Sequence, residues 1–210
     1  MASLAAGQQA GASKESSIFS FKIIADAGSG SYATFVSGIG AMVNFTSANP
    51  GRVPGVATFS LGSSGHNSDS SRHMRALLQA GVLPFVAAGN DAANACDQWP
   101  ASSAFAVTVG ASRSDSPQYM DDVAPFSDLG PCVDVFAPGM SILGACNDGN
   151  SGGCTGTWQV LSGTSMATPI AAGAASTFLG HSPEIDLMAL KHLVASEGLS
   201  HHRPHLCVSL

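Results

Sequence analysis

The sequence predicts an α/β protein with a mainly parallel sheet covered by helices on both faces. Three observations carry that prediction. Between Ile18 and Ala88, β-branched and apolar stretches of strand length alternate with stretches of helical length, and such alternation implies parallel pairing through helical crossovers. One stretch, Val82 to Ala88, contains no polar residue, as a strand buried on both faces requires. Only 10% of the residues are charged, against about 25% in an average globular protein. With 45% hydrophobic residues and 24 glycines, that composition suits a tightly packed, secreted-type domain.

The elements follow in chain order. Ile18 to Ile24 reads as a strand, Tyr32 to Val43 as a helix, Val56 to Ser60 as a strand and Ser70 to Ala80 as a helix, followed by the buried strand Val82 to Ala88. Beyond Asn90 the pattern changes to short strands between turns: Phe105 to Val109, Val133 to Phe136, Ser141 to Leu143 and Trp158 to Leu161. Ala167 to Leu179, rich in Ala and free of charge, reads as a buried helix. Ser182-Pro183-Glu184 suits the start of a last helix running through Ala195, with Ser182 as N-cap and Pro183 at the first position. Residues 1–198 are expected to form one domain and 199–210 a divergent, disordered tail. His201, His202 and His205 in that tail share no helical face, because Pro204 interrupts it.

Several function classes are excluded at this level. The net charge of −6 and the lack of any Lys/Arg cluster argue against a nucleic-acid partner. No apolar run approaches the roughly 18 residues of a membrane span. Met1 to Ala10 has neither the basic start nor the apolar core of a signal peptide. Lys22 to Ala33 imitates a dinucleotide fingerprint, with Gly28, Gly30 and Ala33 at the required spacing. That motif needs a carboxylate about 20 residues on, and no acidic residue lies between Ala27 and Ser68.

Gly163-Thr164-Ser165-Met166-Ala167-Thr168-Pro169 is the segment richest in chemistry. It delivers Ser165 onto the first turn of an apolar helix, where free N–H groups and the positive end of the helix dipole would stabilise negative charge. A bare Gly-Thr-Ser is ordinarily a cap or turn, but the whole string resembles the nucleophile motif of the subtilases, the subtilisin-like serine proteases. The likeness runs from about Ala2 to Leu179 and is nearest to the proteinase K branch.

The resemblance implies a three-layer subtilisin-like fold and a serine endopeptidase with Ser165 as nucleophile. Ala87-Ala88-Gly89-Asn90 resembles the family's oxyanion motif, which assigns to the Asn90 amide a donor role beside the Ser165 N–H. Ser60-Leu61-Gly62 and Gly28-Ser29-Gly30 resemble the two segments that clamp a peptide substrate as an added strand. With Ala87, Ala88 and Gly89, Ser60 to Gly62 are expected to wall an uncharged pocket that prefers an apolar or aromatic side chain before the cut bond. No cofactor is expected for catalysis. A structural calcium is implied at the Asp134 carboxylate and the carbonyls of Ala104 and Ala106; the alternative is Asp134 as a hydrogen-bonded turn acid.

Of the 5 cysteines, Cys96 and Cys132 match positions that are bridged in aqualysin-like members of the family. Cys146 and Cys154 flank a Gly/Asn-rich loop suited to local pairing, which leaves Cys207 over; reduced thiols in an intracellular protein are the alternative. The sequon Asn44-Phe45-Thr46 points to export. A peptide or protein substrate, a propeptide or inhibitor, a monomeric state and an extracellular parent are the remaining implications.

The chain also departs from the family pattern. It contains no Asp-Ser-Gly or Asp-Thr-Gly, and its first histidine, His66, has no His-Gly-Thr-His around it. Met1 to Gly7 resembles the helix that follows the family's histidine motif, so the reading expects an N-terminal part with signal, propeptide, Asp and His to be missing. The rival expectation is a truncated or pseudo-protease that binds peptides without cleaving them. Ile170 replaces a common non-catalytic His, Asp115 to Asp122 is longer than usual, and the sequence diverges after Gly198.

Overall fold

The computed structural model describes residues 1–25, 28–65, 68–113, 122–146 and 156–198. The expectations for His66, most of the Asp115 to Asp122 loop, Cys154, Cys207 and the tail lie outside those residues.

A parallel sheet forms the centre. Its strands are β1 (Gly55–Phe59), β3 (Val82–Ala87), β5 (Val107–Arg113) and β7 (Val135–Pro138), each paired with the next in that order. The short β6 (Asp122–Val123) adds an antiparallel pair at the end of β5. Register aligns Gly55 with Val82, Phe85 with Val107, and Val109 with Val135. Two small antiparallel pairs lie off the main sheet: β2 (Ser63–Ser64) with β4 (Gln98–Trp99), and β8 (Ile142–Ala145) with β9 (Trp158–Leu161).

Helices cover both faces, as the strand-helix alternation predicts. On one side α2 (Tyr32–Ala48) and α3 (Ser68–Gln79) contribute Phe35, Ile39, Met74 and Leu77 to a core with Val82 and Val86. On the other, α4 (Thr164–His181) and α5 (Leu187–Gly198) pack Ala167, Ala172, Leu179 and Leu190 against Leu83, Phe85, Val107 and Val109. Residues 82 and 86 thus face one core and 83 and 85 the other, which is the two-residue period of a strand buried twice. The short α1 (Ala2–Ala6) rests on α4, where Gly173 admits the Ala5 carbonyl; a Cβ there would come within 2.5 Å of it.

Two sequence expectations need correction. Ile18 to Ile24 forms no strand, and no described residue offers it a ladder. It lies instead against α2, with Phe19 and Phe21 4.6 and 5.8 Å from the Phe45 ring. Strand-type residues become a strand only where a neighbour takes their N–H and C=O groups. The last helix also starts later than expected. Ser182 closes α4, its N–H donating to Phe178 O, while Asp186 Oδ1 accepts from the N–H groups of Met188 and Ala189 and caps α5.

Candidate active site

Ser165 sits in the first turn of α4, half-buried, with Gly163 as the N-cap. Within the same helix, Pro169 has no N–H to give to the carbonyl four residues back, which is that of Ser165. Ser60 Oγ donates to that carbonyl instead, at 2.9 Å. The end of β1 and the nucleophile turn are therefore linked through the group that the proline leaves without a helical partner.

Asn90 lies just past the end of β3. Its Oδ1 accepts from Thr164 N at 2.8 Å and from Thr164 Oγ1 at 3.1 Å. A backbone N–H can only donate, so the amide atom facing it is the oxygen, and Nδ2 is the end left for another partner. Helix geometry likewise leaves the Ser165 N–H without an intrahelical acceptor. Two donors suited to an oxyanion thus sit on adjoining elements.

A buried acid, which the motif reading had not singled out, holds the Asn90 turn. Asp128 Oδ1 accepts from the N–H groups of Asp91 and Ala93, both at 2.9 Å, and Asp128 N donates to Gly89 O at 3.0 Å. Gly89 has φ +123°, and a Cβ there would overlap the Asp128 carboxylate. The glycine of Ala-Ala-Gly-Asn therefore leaves room for the clamp.

A cleft of about 280 Å³ opens beside these groups, lined by Ser165, Thr164 and Asn90 together with Leu61, Gly62, Ala87 and Gly89. Ser60, Ala88, Gly28, Ser29 and Gly30 are not among the lining residues; Ser60 Oγ reaches the Ser165 carbonyl, Ala88 is buried, and Gly28, Ser29 and Gly30 are exposed. The cleft is not free of charge as expected: Asp91 lines it, with Ser63, Ser64 and Gln98. Ser63, Ser64 and Gln98 enter through the β2–β4 ladder, in which Ser64 pairs with Gln98 and which no local motif announces, whereas the Asp91 N–H is held by Asp128.

Residues 1–197 match the subtilase family. The chain belongs to it. It is 36% identical over 190 residues to a subtilisin-like serine protease of Aspergillus niger, covering 86% of this chain and 34% of that one. It is 36% identical over 190 residues to an alkaline serine exoprotease A of Vibrio alginolyticus, covering 90% and 32%. The solved structure of a cold-adapted subtilisin-like serine proteinase superposes with a TM-score of 0.79 at 34% identity, over 92% of this chain and 64% of that one. The chain thus spans about a third of the length of those two relatives.

Around this subtilase site, Cys96 and Cys132 form a disulfide with Cα atoms 5.3 Å apart. Closing a loop with a sequence separation of 36 is worth about 3 to 4 kcal/mol on the chain-entropy model. Cys146 is also disulfide-bonded. Asp134 Oδ2 accepts from Thr108 N at 2.8 Å and pairs with Lys191 Nζ. Ala104 is exposed and Ala106 buried. Among the described residues no group of three His, Cys, Asp or Glu side chains could hold a metal ion. Two of the described histidines have their contacts on α2 and α4. His73 packs near Tyr32, where burial, and then the Arg72 charge, lower its pKa against a smaller opposing pull from Asp69. His181 Nδ1 pairs with Thr177 O. No helix among the described residues is long and apolar enough to cross a membrane.

Proposed function

We propose that this chain is the serine-bearing part of a secreted endopeptidase of the proteinase K type, in which Ser165 attacks a peptide carbonyl. The observation that carries the reading is the Thr164–Asn90 pair. It fixes Asn90 Oδ1 beside the nucleophile turn and leaves Nδ2 to donate into the cleft that Ser165 also lines. As the tetrahedral intermediate forms, its oxyanion would take hydrogen bonds from Asn90 Nδ2 and the Ser165 N–H. In subtilisin, a relative, loss of the side-chain donor costs about 3 to 4 kcal/mol of barrier, and that size is taken from the relative.

The serine must also give up its proton, which requires a base. Among the described residues no imidazole is hydrogen-bonded to Ser165. The second reading is a cleft that binds an extended peptide without cutting it. Export is supported by the Cys96–Cys132 bridge, since disulfides persist in oxidising compartments. For the side chain before the cut bond we retain an apolar or aromatic preference, because the buried wall is Ala87 and half-buried Gly89. Exposed Asp91 at the lip disfavours acidic side chains.

The test is labelling of the native protein with a fluorophosphonate, which reacts only with an activated serine. Modification at Ser165 that disappears in Ser165→Ala supports the endopeptidase. An unmodified Ser165 in a protein that still binds peptide would establish the second reading.

A further inference from the structure

The calcium expected at Asp134, Ala104 and Ala106 meets an obstacle in the fold. Lys191, on α5, sends its side chain into the same corner, where Nζ lies 2.5 Å from Ala106 O and 2.5 Å from Asp134 Oδ2. Two of the three oxygens that would ligate the metal are therefore engaged by a cation that belongs to the chain. The lysine is 7% exposed, and its neighbours Leu187 and Leu190 are buried in the core, so the side chain is held inward by the docking of its own helix.

Geometry and charge agree on what this excludes. Calcium takes six to eight oxygens at about 2.3 to 2.6 Å, and an ion placed between Asp134 and Ala106 would share its position with the ammonium. One carboxylate is neutralised by one lysine, whereas a divalent ion added to that pair would leave two uncompensated positive charges in a partly buried site. The remaining bond at Asp134 Oδ2, from Thr108 N, comes from a donor and offers a metal nothing.

We propose that the Lys191 ammonium takes the place of a divalent cation between Asp134 and Ala106, so that this corner keeps its shape without calcium. The ion's bridging role passes to a helix. Lys191 ties α5 to the turn before β5 and to the acid that precedes β7, which a free ion would join to each other but not to α5.

Two arms test this independently of catalysis. In the unmodified chain, reductive methylation with and without calcium should modify exposed Lys14 and spare Lys191 in both conditions. A Lys191 that becomes reactive as calcium is added would show the metal displacing it and would overturn the proposal. In calorimetric titration, the unmodified chain and Asp134→Asn should respond to calcium alike, and a saturable isotherm lost on Asp134→Asn would also overturn it. Lys191→Ala should gain one saturable calcium site that the added Asp134→Asn change removes. If Lys191→Ala folds and gains none, the lysine is a hydrogen-bonded side chain and not a stand-in for a metal.

Discussion

The nucleophile corner and the stretch from Ile18 to Gly30 both carry family-like motifs, yet they are held in opposite ways. At the corner, Ser165, Thr164, Asn90 and Ser60 are joined by hydrogen bonds across α4, β1 and the end of β3, over a sheet buried on both faces. The other stretch has the residues of a strand and a Gly-Ser-Gly turn, but no ladder among the described residues. It is steadied by ring contacts with Phe45 and by Arg52 over Phe19. A motif therefore fixes geometry only where the partners of its backbone are in place, and the two regions should answer perturbation very differently.

The largest contrast is between two phenylalanines. Phe85, fully buried in β3, touches the core beneath the corner, and Phe85→Ala should cost about 3 to 5 kcal/mol in urea unfolding. Phe19 is 44% exposed, and Phe19→Ala should cost about 1 kcal/mol or less. Equal losses would mean that the first stretch is as firmly built as the corner, and the comparison would collapse.

A smaller effect should separate the two glycine turns. Asp128→Ala removes the acceptor of two N–H groups in the Asn90 turn, for a loss of about 2 to 4 kcal/mol, since each donor left unsatisfied costs about 1 to 2. Gly28→Ala, at φ +79° with open space around it, meets only backbone strain of about 1 kcal/mol. Hydrogen exchange at Asp91 and Ala93 should rise in Asp128→Ala while exchange in β3 stays slow. Unchanged protection at Asp91 and Ala93 would remove Asp128 from its positioning role.

The same contrast explains what was legible in the sequence. β3 is legible because its apolar run carries the signal within itself, β1 and β9 because their β-branched and aromatic residues do, and Ser165 and Asn90 because their motifs are contiguous. The start of α5 was missed because Ser182-Pro183 and Asp186 both satisfy the capping rule. Only the burial of Leu187 and Leu190 selects the second. The clamp by Asp128 acts across 37 residues, and Lys191 reaches Ala106 across 85, distances over which no local pattern points from one partner to the other. The charge at the cleft lip escaped for the same reason: Asp91 follows the oxyanion motif directly, but its place depends on the Asp128 clamp.

Ser60 gives the finest test, because sequence motif and fold assign it different tasks. As part of a substrate clamp it would act on peptide alone, and Ser60→Ala would change binding without altering the serine. As the donor to the carbonyl that Pro169 leaves without a helical partner, it steadies the nucleophile turn itself. Removing it should cost about 1 kcal/mol of stability. The rate of fluorophosphonate labelling at Ser165 should also fall, with no peptide present and with Ser60→Thr restoring it through the retained hydroxyl. A labelling rate left unchanged by Ser60→Ala, alongside weakened peptide binding, would return Ser60 to the substrate side. Loss of both would show that one hydroxyl couples the edge of the cleft to the group that performs the chemistry.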